Sequence, residues 1–440
     1  MFDNLIGQDE VRSLLEGDLR GGSLPPSLLF SGPPASGKLT TALELARILS
    51  CEGADRGAWS CPCSSCARHR SLAHPDLLLF GRRSFPEEIP VALETLLKTP
   101  GKAGAYLFLR ALRKLEKRFD PTLYEGEETK LAKAAPLVAD IEERLALVDP
   151  GAELWREDAE GRARLEKAAA DLLPVARKLE ALVTDMPPVS QVRSAELWCR
   201  LAPWGRRKTV IIENAEAMND SARNALLKIL EEPPRSLTFV LVSSRRPAMM
   251  RTILSRVRTY AFSARDASAS ALVLEKVFRA GGAASLEGSG PALLSIDGWL
   301  ASKRPFPPAR ARDLAGYLLA ATFAEAEARG ASLGPGLADR AASARGEGPD
   351  IPGALALILS ETKELGQRDE TYDQSFAALL EALEDLLGEL LREPALAARD
   401  LDRASRAAGI LRETRARRET YNLSASLLLE SLAWKLAEVQ

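Results

Sequence analysis

The sequence predicts an α/β domain built on a parallel sheet, followed by a domain made of helices alone. Three observations carry this. The short apolar runs Ser27–Phe30, Thr209–Ile212 and Thr238–Val242 suit buried strands. Segments with helical apolar spacing alternate with them, which is the rhythm of βαβ units. From Ala309 to Gln440 nearly every segment keeps helical spacing and no strand run interrupts it.

Taken in order, Val11–Leu19 reads as an amphipathic helix that Pro25-Pro26 separates from the run Ser27–Phe30. A Gly/Pro-rich turn leads into Leu39–Leu49, so strand, glycine loop and helix follow one another. Between Arg82 and about Asp185 no strand run is found. Ala105–Phe119, Thr129–Val148 and Glu153–Val183 are helical, with a turn at Asp149-Pro150-Gly151. This segment is expected to be a helical insertion over about 83–185, either a plain solvated arm or a docking arm. Ser221–Leu230 reads as a helix stopped by Pro233-Pro234. Strand signals end at Phe262. Ala267–Gly281 is helical, Gly282–Gly290 a loop and Lys303–Pro308 a linker; Ala354–Leu365, Tyr372–Arg392 and Ser424–Val439 are further helices.

Composition narrows the class. At 440 residues about three domains fit, and 46% hydrophobic with 27% charged residues is ordinary for a globular protein. A net charge of −2 excludes a polycation, so contact with nucleic acid has to come from a local patch or be shared with partners. The first residues lack a basic start followed by an apolar run, and no stretch of about 18 apolar residues occurs, so neither a signal peptide nor a membrane span is read. Four of the five cysteines crowd into Cys51–Cys66. A cytoplasmic setting with metal, rather than disulfides, is the expectation.

Residues Gly32–Leu39, GPPASGKL, fit G-x-x-x-x-G-K-[ST] except at the last position. Gly32 and Gly37 let backbone N–H groups surround phosphate oxygens, and Lys38 adds a positive charge. Leu39 stands where a hydroxyl would hold Mg²⁺. Thr40 supplies the nearest hydroxyl, but one helical step turns it by roughly 100°. At the end of the second strand Glu213 occupies the position of a metal-holding carboxylate, and Asn214 that of the base that polarises water. Glu216 is expected to be a capping or surface charge. These substitutions argue against productive Mg·ATP binding and hydrolysis. Ser243, with Ser244, lies at the strand end where a polar group senses the γ-phosphate. Arg256, in Ile253–Val257, can either form a surface ion pair or neutralise charge on a neighbour's ATP.

Cys51, Cys61, Cys63 and Cys66 form C-x9-C-x-C-x2-C, which suits one structural Zn²⁺ with all four positions filled; packed reduced thiols are the alternative. His69 and His74 are expected to be structural, and Cys199 a core residue.

These elements, in this order, resemble the bacterial DNA polymerase III clamp-loader family, and within it the delta-prime type. The stretches that carry the likeness are Ile6–Gln8, Leu24–Lys38, the cysteine cluster, His74–Asp76, Pro188–Arg193, Arg207–Pro234 with NALLKILEEPP, and Leu254–Arg258. Tyr421–Leu436 carries it more weakly. The resemblance implies a RecA-like AAA+ domain over 1–262 carrying a zinc module at 51–66, a small helical lid over 263–303, and an all-α collar over 304–440 that joins subunits in a five-membered ring. It implies partners: gamma/tau and delta subunits, the sliding clamp and primed DNA. Leu39 and Asn214 fit the member with a degraded ATP site. Ser255-Arg256 match two of the three positions of the family's Ser-Arg-Cys motif, in which the arginine serves the adjacent motor subunit. A gamma/tau-like motor, a free-standing P-loop enzyme and a purely structural scaffold are the alternatives.

Overall fold

Five short strands form one sheet in which all pairings are parallel, in the order β2-β3-β4-β1-β5. The computed structural model describes residues 1–54, 56–81, 83, 85, 87–152, 155–156, 158–184, 187–280, 295–303, 306–332, 350–364, 369–392, 398–421 and 425–438. The chain divides into two units, residues 1–300 and 301–440. The expected Gly282–Gly290 loop lies outside the described residues.

In the first unit α1 (Asp9–Arg20) precedes β1 (Ser27–Ser31), and α2 (Lys38–Ser50) follows the glycine loop. α3 (Ser64–Arg70) leads to β2 (Leu77–Gly81). α4 (Glu88–Lys98), α5 (Lys102–Glu116), α6 (Glu128–Val148) and α7 (Ala159–Glu180) come next, then α8 (Val189–Arg200). β3 (Lys208–Glu213), α9 (Asp220–Glu231), β4 (Leu237–Ser243), α10 (Arg251–Leu254) and β5 (Arg258–Ala261) complete the sheet, with α11 (Ala267–Lys276) and α12 (Ile296–Ala301) after it. β1, β2, β3 and β4 are buried along their whole length, which is why their sequences are apolar runs rather than alternations.

Several elements, β2, β5, α4 and α8 among them, go unread in the sequence. β2 follows His74-Pro75-Asp76 as the run LLLFG and did show the signal of a buried strand. β5 is a sheet-edge strand of sequence RTYA with only Tyr260 buried, so no apolar pattern marks it. α4 lies inside the expected helical segment 83–185, and α8 follows it. Asp149-Pro150-Gly151 does turn, with Asp149 Oδ1 accepting from the Gly151 N–H at 2.8 Å.

Apolar packing holds both faces of the sheet. Phe30 is fully buried against Tyr260 at 5.7 Å, edge to face, and against Phe262 at 5.3 Å. Each such aromatic pair contributes about 0.5–1.5 kcal/mol beyond the area it buries. On the other face a larger cluster runs from Phe80 and Phe239 through Phe108 and Leu112 of α5 to Ile141 of α6 and Leu172 of α7. Cys199 is buried in the same cluster.

The second unit contains α13 (Pro308–Ala328), α14 (Ile351–Glu364), α15 (Asp369–Leu391), α16 (Ala398–Tyr421) and α17 (Ala425–Ala437). Leu314 and Leu318 of α13, Leu383 and Leu387 of α15 and Leu432 of α17 share its core.

One glycine ties the sheet to the candidate site. Gly81 ends β2 at φ +108°, and a Cβ there would stand 2.2 Å from the Glu213 carbonyl oxygen. Gly81→Ala is therefore expected to destabilise the α/β unit by about 1–3 kcal/mol, read as a lower thermal midpoint; an unchanged midpoint would show that the β2–β3 ends yield freely.

Candidate nucleotide and metal sites

Parallel strands deliver the candidate residues to one end of the sheet. β1 ends in register with β4, pairing Ser31 with Ser243, and the Gly32 N–H donates to the Ser243 carbonyl at 3.2 Å. The glycine loop therefore starts beside the sensor position. Gly37 caps α2 at φ +95°, where an L side chain is strained and a Cβ would meet the Arg265 guanidinium at 2.7 Å.

Within this loop Lys38 is turned back on its own backbone. Its Nζ donates to Gly32 O at 2.7 Å, to Pro33 O, and to Ser36 Oγ at 3.3 Å. Burial brings the ammonium down to about 8, with the Glu216 carboxylate opposing that shift. Arg265 closes over the loop, donating from Nε to Ile6 O at 3.0 Å and from Nη1 to Ala35 O. No sequence motif marked Arg265. Leu39 packs against the apolar cluster, Thr40 is exposed, and the buried Thr41 hydroxyl donates to Gly37 O at 2.9 Å. Leu39 has no ligand oxygen and the Thr41 hydroxyl is already donated, which leaves the exposed Thr40 as the remaining hydroxyl of the three.

Glu213 departs most from its expected role as a metal ligand. Its carboxylate is buried, and one oxygen accepts from Arg83 Nη1 at 2.5 Å while the other accepts from Arg118 Nη2. Arg83 also pairs with Glu88 at 2.6 Å, and Glu88 pairs with Lys114. Burial alone would raise the Glu88 carboxyl, but Arg83 and Lys114 outweigh it and hold it at about 2. That stabilisation is complete above the ordinary carboxylate range and is lost as pH falls towards 2. Arg118 keeps Nε and Nη1 buried without a hydrogen-bond partner, beside a cavity of about 10 Å³ lined also by Tyr124 and Gln191. That space suits about one water molecule.

Asn214 adopts a left-handed conformation at φ +47° just past β3. Glu216 is not a surface charge: it is 7% exposed, in a 3-10 turn. Its Oε1 accepts from the Ser244 N–H at 3.0 Å, tying the turn after β3 to the end of β4, while Oε2 is buried without a partner. Ser243 Oγ accepts from the Arg245 N–H at 3.1 Å. Arg256 lies at the surface, donating to Thr252 O at 2.8 Å and pairing with Glu231 at 2.6 Å.

The four clustered cysteines converge. Their Sγ atoms all lie within 4.8 Å of one another, and Cys51 and Cys61 sulfurs are 3.7 Å apart. Tetrahedral Zn²⁺ with bonds of about 2.3 Å requires sulfurs about 3.8 Å apart, so the donor set fits zinc. Burial would raise the Cys63 thiol, but N–H groups of Glu52 and Cys66 bring it down to about 6, near the thiolate form a metal needs. Arg47 donates to Cys66 Sγ at 3.3 Å, and its positive charge opposes the rise that burial gives the Cys66 thiol. His69 stacks on His74 at 4.1 Å, and the His74 Nε2 and Ser65 Oγ are 3.1 Å apart. Both imidazoles lie outside the sulfur cluster, and burial holds both neutral.

A sequence profile of the family described as DNA polymerase III, delta subunit, matches residues 7–129 and 171–266. The chain belongs to the DNA polymerase III clamp-loader family. The profile is interrupted only over 130–170, which covers most of α6 and the first half of α7. The stretch foreign to the family is thus narrower than the helical segment 83–185, and both Arg83 and Arg118 fall in matched sequence. DNA polymerase III subunit delta' of Pseudomonas aeruginosa is 49% identical over 55 residues, 12% of this chain and 17% of that one. The replication factor C small subunit of Archaeoglobus fulgidus is 51% identical over 48 residues, 11% of this chain and 15% of that one. The chain thus matches less than one fifth of either relative's length. A DNA polymerase III gamma subunit-related protein of Thermotoga maritima covers 60% of this chain and 90% of its own at 18% identity, with a TM-score of 0.28, too low to support an argument. Among the described residues no helix is long and apolar enough to cross a membrane.

Removing one member of a buried ion pair leaves an unpaired charge, at a cost of about 3–5 kcal/mol. Arg118→Met is expected to destabilise by less than that, about 1–3 kcal/mol, because Arg83 still pairs with Glu213, and Arg118→Met/Glu213→Gln to recover most of the loss, measured by chemical denaturation. Additive losses in the double variant would mean that Arg118 does not neutralise Glu213.

Proposed function

We propose that this clamp-loader family member is a delta-prime-like subunit that does not hydrolyse ATP and helps load the sliding clamp onto primed DNA. The observation that carries this reading is Glu213, whose two carboxylate oxygens are both committed to arginines. Leu39 and Asn214 agree with it, since neither residue can perform the metal-binding or base chemistry of its position. Lys38 and Arg265 agree with it too, since both cations donate to carbonyls of the loop itself.

In this reading residues 1–262 form the ATPase-like domain, 263–303 the lid and 304–440 a collar that joins gamma/tau and delta subunits in a ring. Zn²⁺ at Cys51, Cys61, Cys63 and Cys66 is structural. Arg256 serves in trans. It lies at the surface in the turn that follows the short helix α10, and its partner Glu231 is itself about half exposed. Exposed ion pairs of this kind contribute only about 0–1 kcal/mol, so a neighbour's γ-phosphate can displace Glu231 at small cost.

The test is reconstitution with the motor subunits on primed DNA. Arg256→Ala is expected to leave folding and assembly intact and to lower hydrolysis at the one site it serves by about 10³-fold. Unchanged DNA-stimulated ATPase would remove the finger role, and failure to co-assemble with any clamp-loader subunit would remove the delta-prime reading.

A further inference from the structure

The helix α5 and the turn that continues it carry a row of basic residues at positions 110, 113, 114, 117 and 118, the spacing of one helix face. The row faces inward: the Arg113, Lys114, Lys117 and Arg118 side chains are 12%, 14%, 16% and 4% exposed. Each residue grips a different part of the molecule. Arg110 Nη1 donates to the carbonyls of His69 and Arg70 at 3.3 and 3.0 Å, and Arg113 Nη1 to that of Ser71 at 3.2 Å. Lys117 reaches Leu77 O, at the start of β2, at 3.2 Å. Lys114 holds Glu88, and Arg118 holds Glu213.

We propose that this row is a strut coupling metal occupancy of the four-cysteine module to the position of Glu213. At one end stands α3, whose geometry the cysteines set: Cys63 caps its start, accepting from the Cys66 N–H, and Cys66 lies in its first turn. The far end of α3 presents the very carbonyls that Arg110 and Arg113 take. Arg47 ties the same module to α2, donating to Cys66 Sγ and to the Gly57 and Ala58 carbonyls. At the other end of the strut Arg118 and the Lys114–Glu88–Arg83 chain converge on Glu213. A bound Zn²⁺ fixes Cys63 and Cys66 relative to one another. Without it their sulfurs have no common ligand, α3 loses its anchor, and the carbonyls that seat Arg110 and Arg113 are free to shift.

Arg110 and Arg113 are positioning residues in this scheme, acting on the thiols through α3. The inference does not depend on the clamp-loading role. Coupling of this kind is reciprocal, so weakening the strut must weaken the grip on metal.

The experiment uses the full chain and measures its Zn²⁺ affinity by equilibrium competition with a chromogenic chelator. Arg110→Gln/Arg113→Gln is expected to bind zinc about tenfold more weakly than the unaltered chain, the lower end of what supporting groups around a metal site contribute. Arg164→Gln, an exposed change on α7, serves as the control and should bind zinc with the unaltered affinity. In parallel, hydrogen exchange after zinc removal is expected to rise over residues 102–119 and 208–217 as well as over 51–74. An unaltered affinity in the double variant overturns the coupling, as does exchange that rises over 51–74 alone. If zinc removal unfolds the whole chain, the affinities of the double variant and the control still decide.

Discussion

The buried carboxylate of Glu213 sits at the end of a central strand, in a place where nucleotide-hydrolysing folds keep a metal. A lone charge there would be costly to bury, and something must neutralise it. In this chain the neutralising groups are the guanidiniums of Arg83 and Arg118. Much of the surrounding structure answers to that requirement. Glu88 and Lys114 extend the pairing, Gly81 lets β2 pass against the Glu213 backbone, and α5 is held where Arg118 can reach. In the proposed reading, protein charge at Glu213 takes the part that Mg²⁺ plays in hydrolysing folds.

The same economy is seen in the phosphate loop. Lys38 and Arg265, the two cations closest to the glycine turn, donate to carbonyls of the loop. An anion entering the loop would have to compete with those bonds. Buried polar networks that are fully satisfied resist rearrangement, because breaking any one bond exposes a desolvated partner. Those bonds hold the loop on its own side chains, which agrees with the proposed reading of a subunit that serves its neighbours.

Much of this was legible in the sequence. β1, β3 and β4 announce themselves as short apolar runs because both faces of the sheet are covered, and most of the longer helices announce themselves by period. The glycine loop, Leu39 and Asn214 are readable one residue at a time, because their chemistry depends on side-chain type alone. The cysteine cluster is readable because its ligands are close in sequence. Arg83, Arg118 and Arg265 are not. They are three arginines among many, and they matter only because the fold brings them to groups 130, 95 and 230 positions away. Glu216 misled for a related reason: a carboxylate in a polar turn looks exposed until β4 closes over it. β5 lacks an apolar pattern because it lies at the sheet edge.

Steady-state hydrolysis of Mg·ATP by the purified chain tests the central claim most directly. The two arginines on Glu213, with Leu39 and Asn214, predict turnover indistinguishable from that of the Lys38→Ala variant. Turnover well above that background, and abolished by Lys38→Ala and by Glu213→Gln, would show that Glu213 is released to hold metal and would contradict the account.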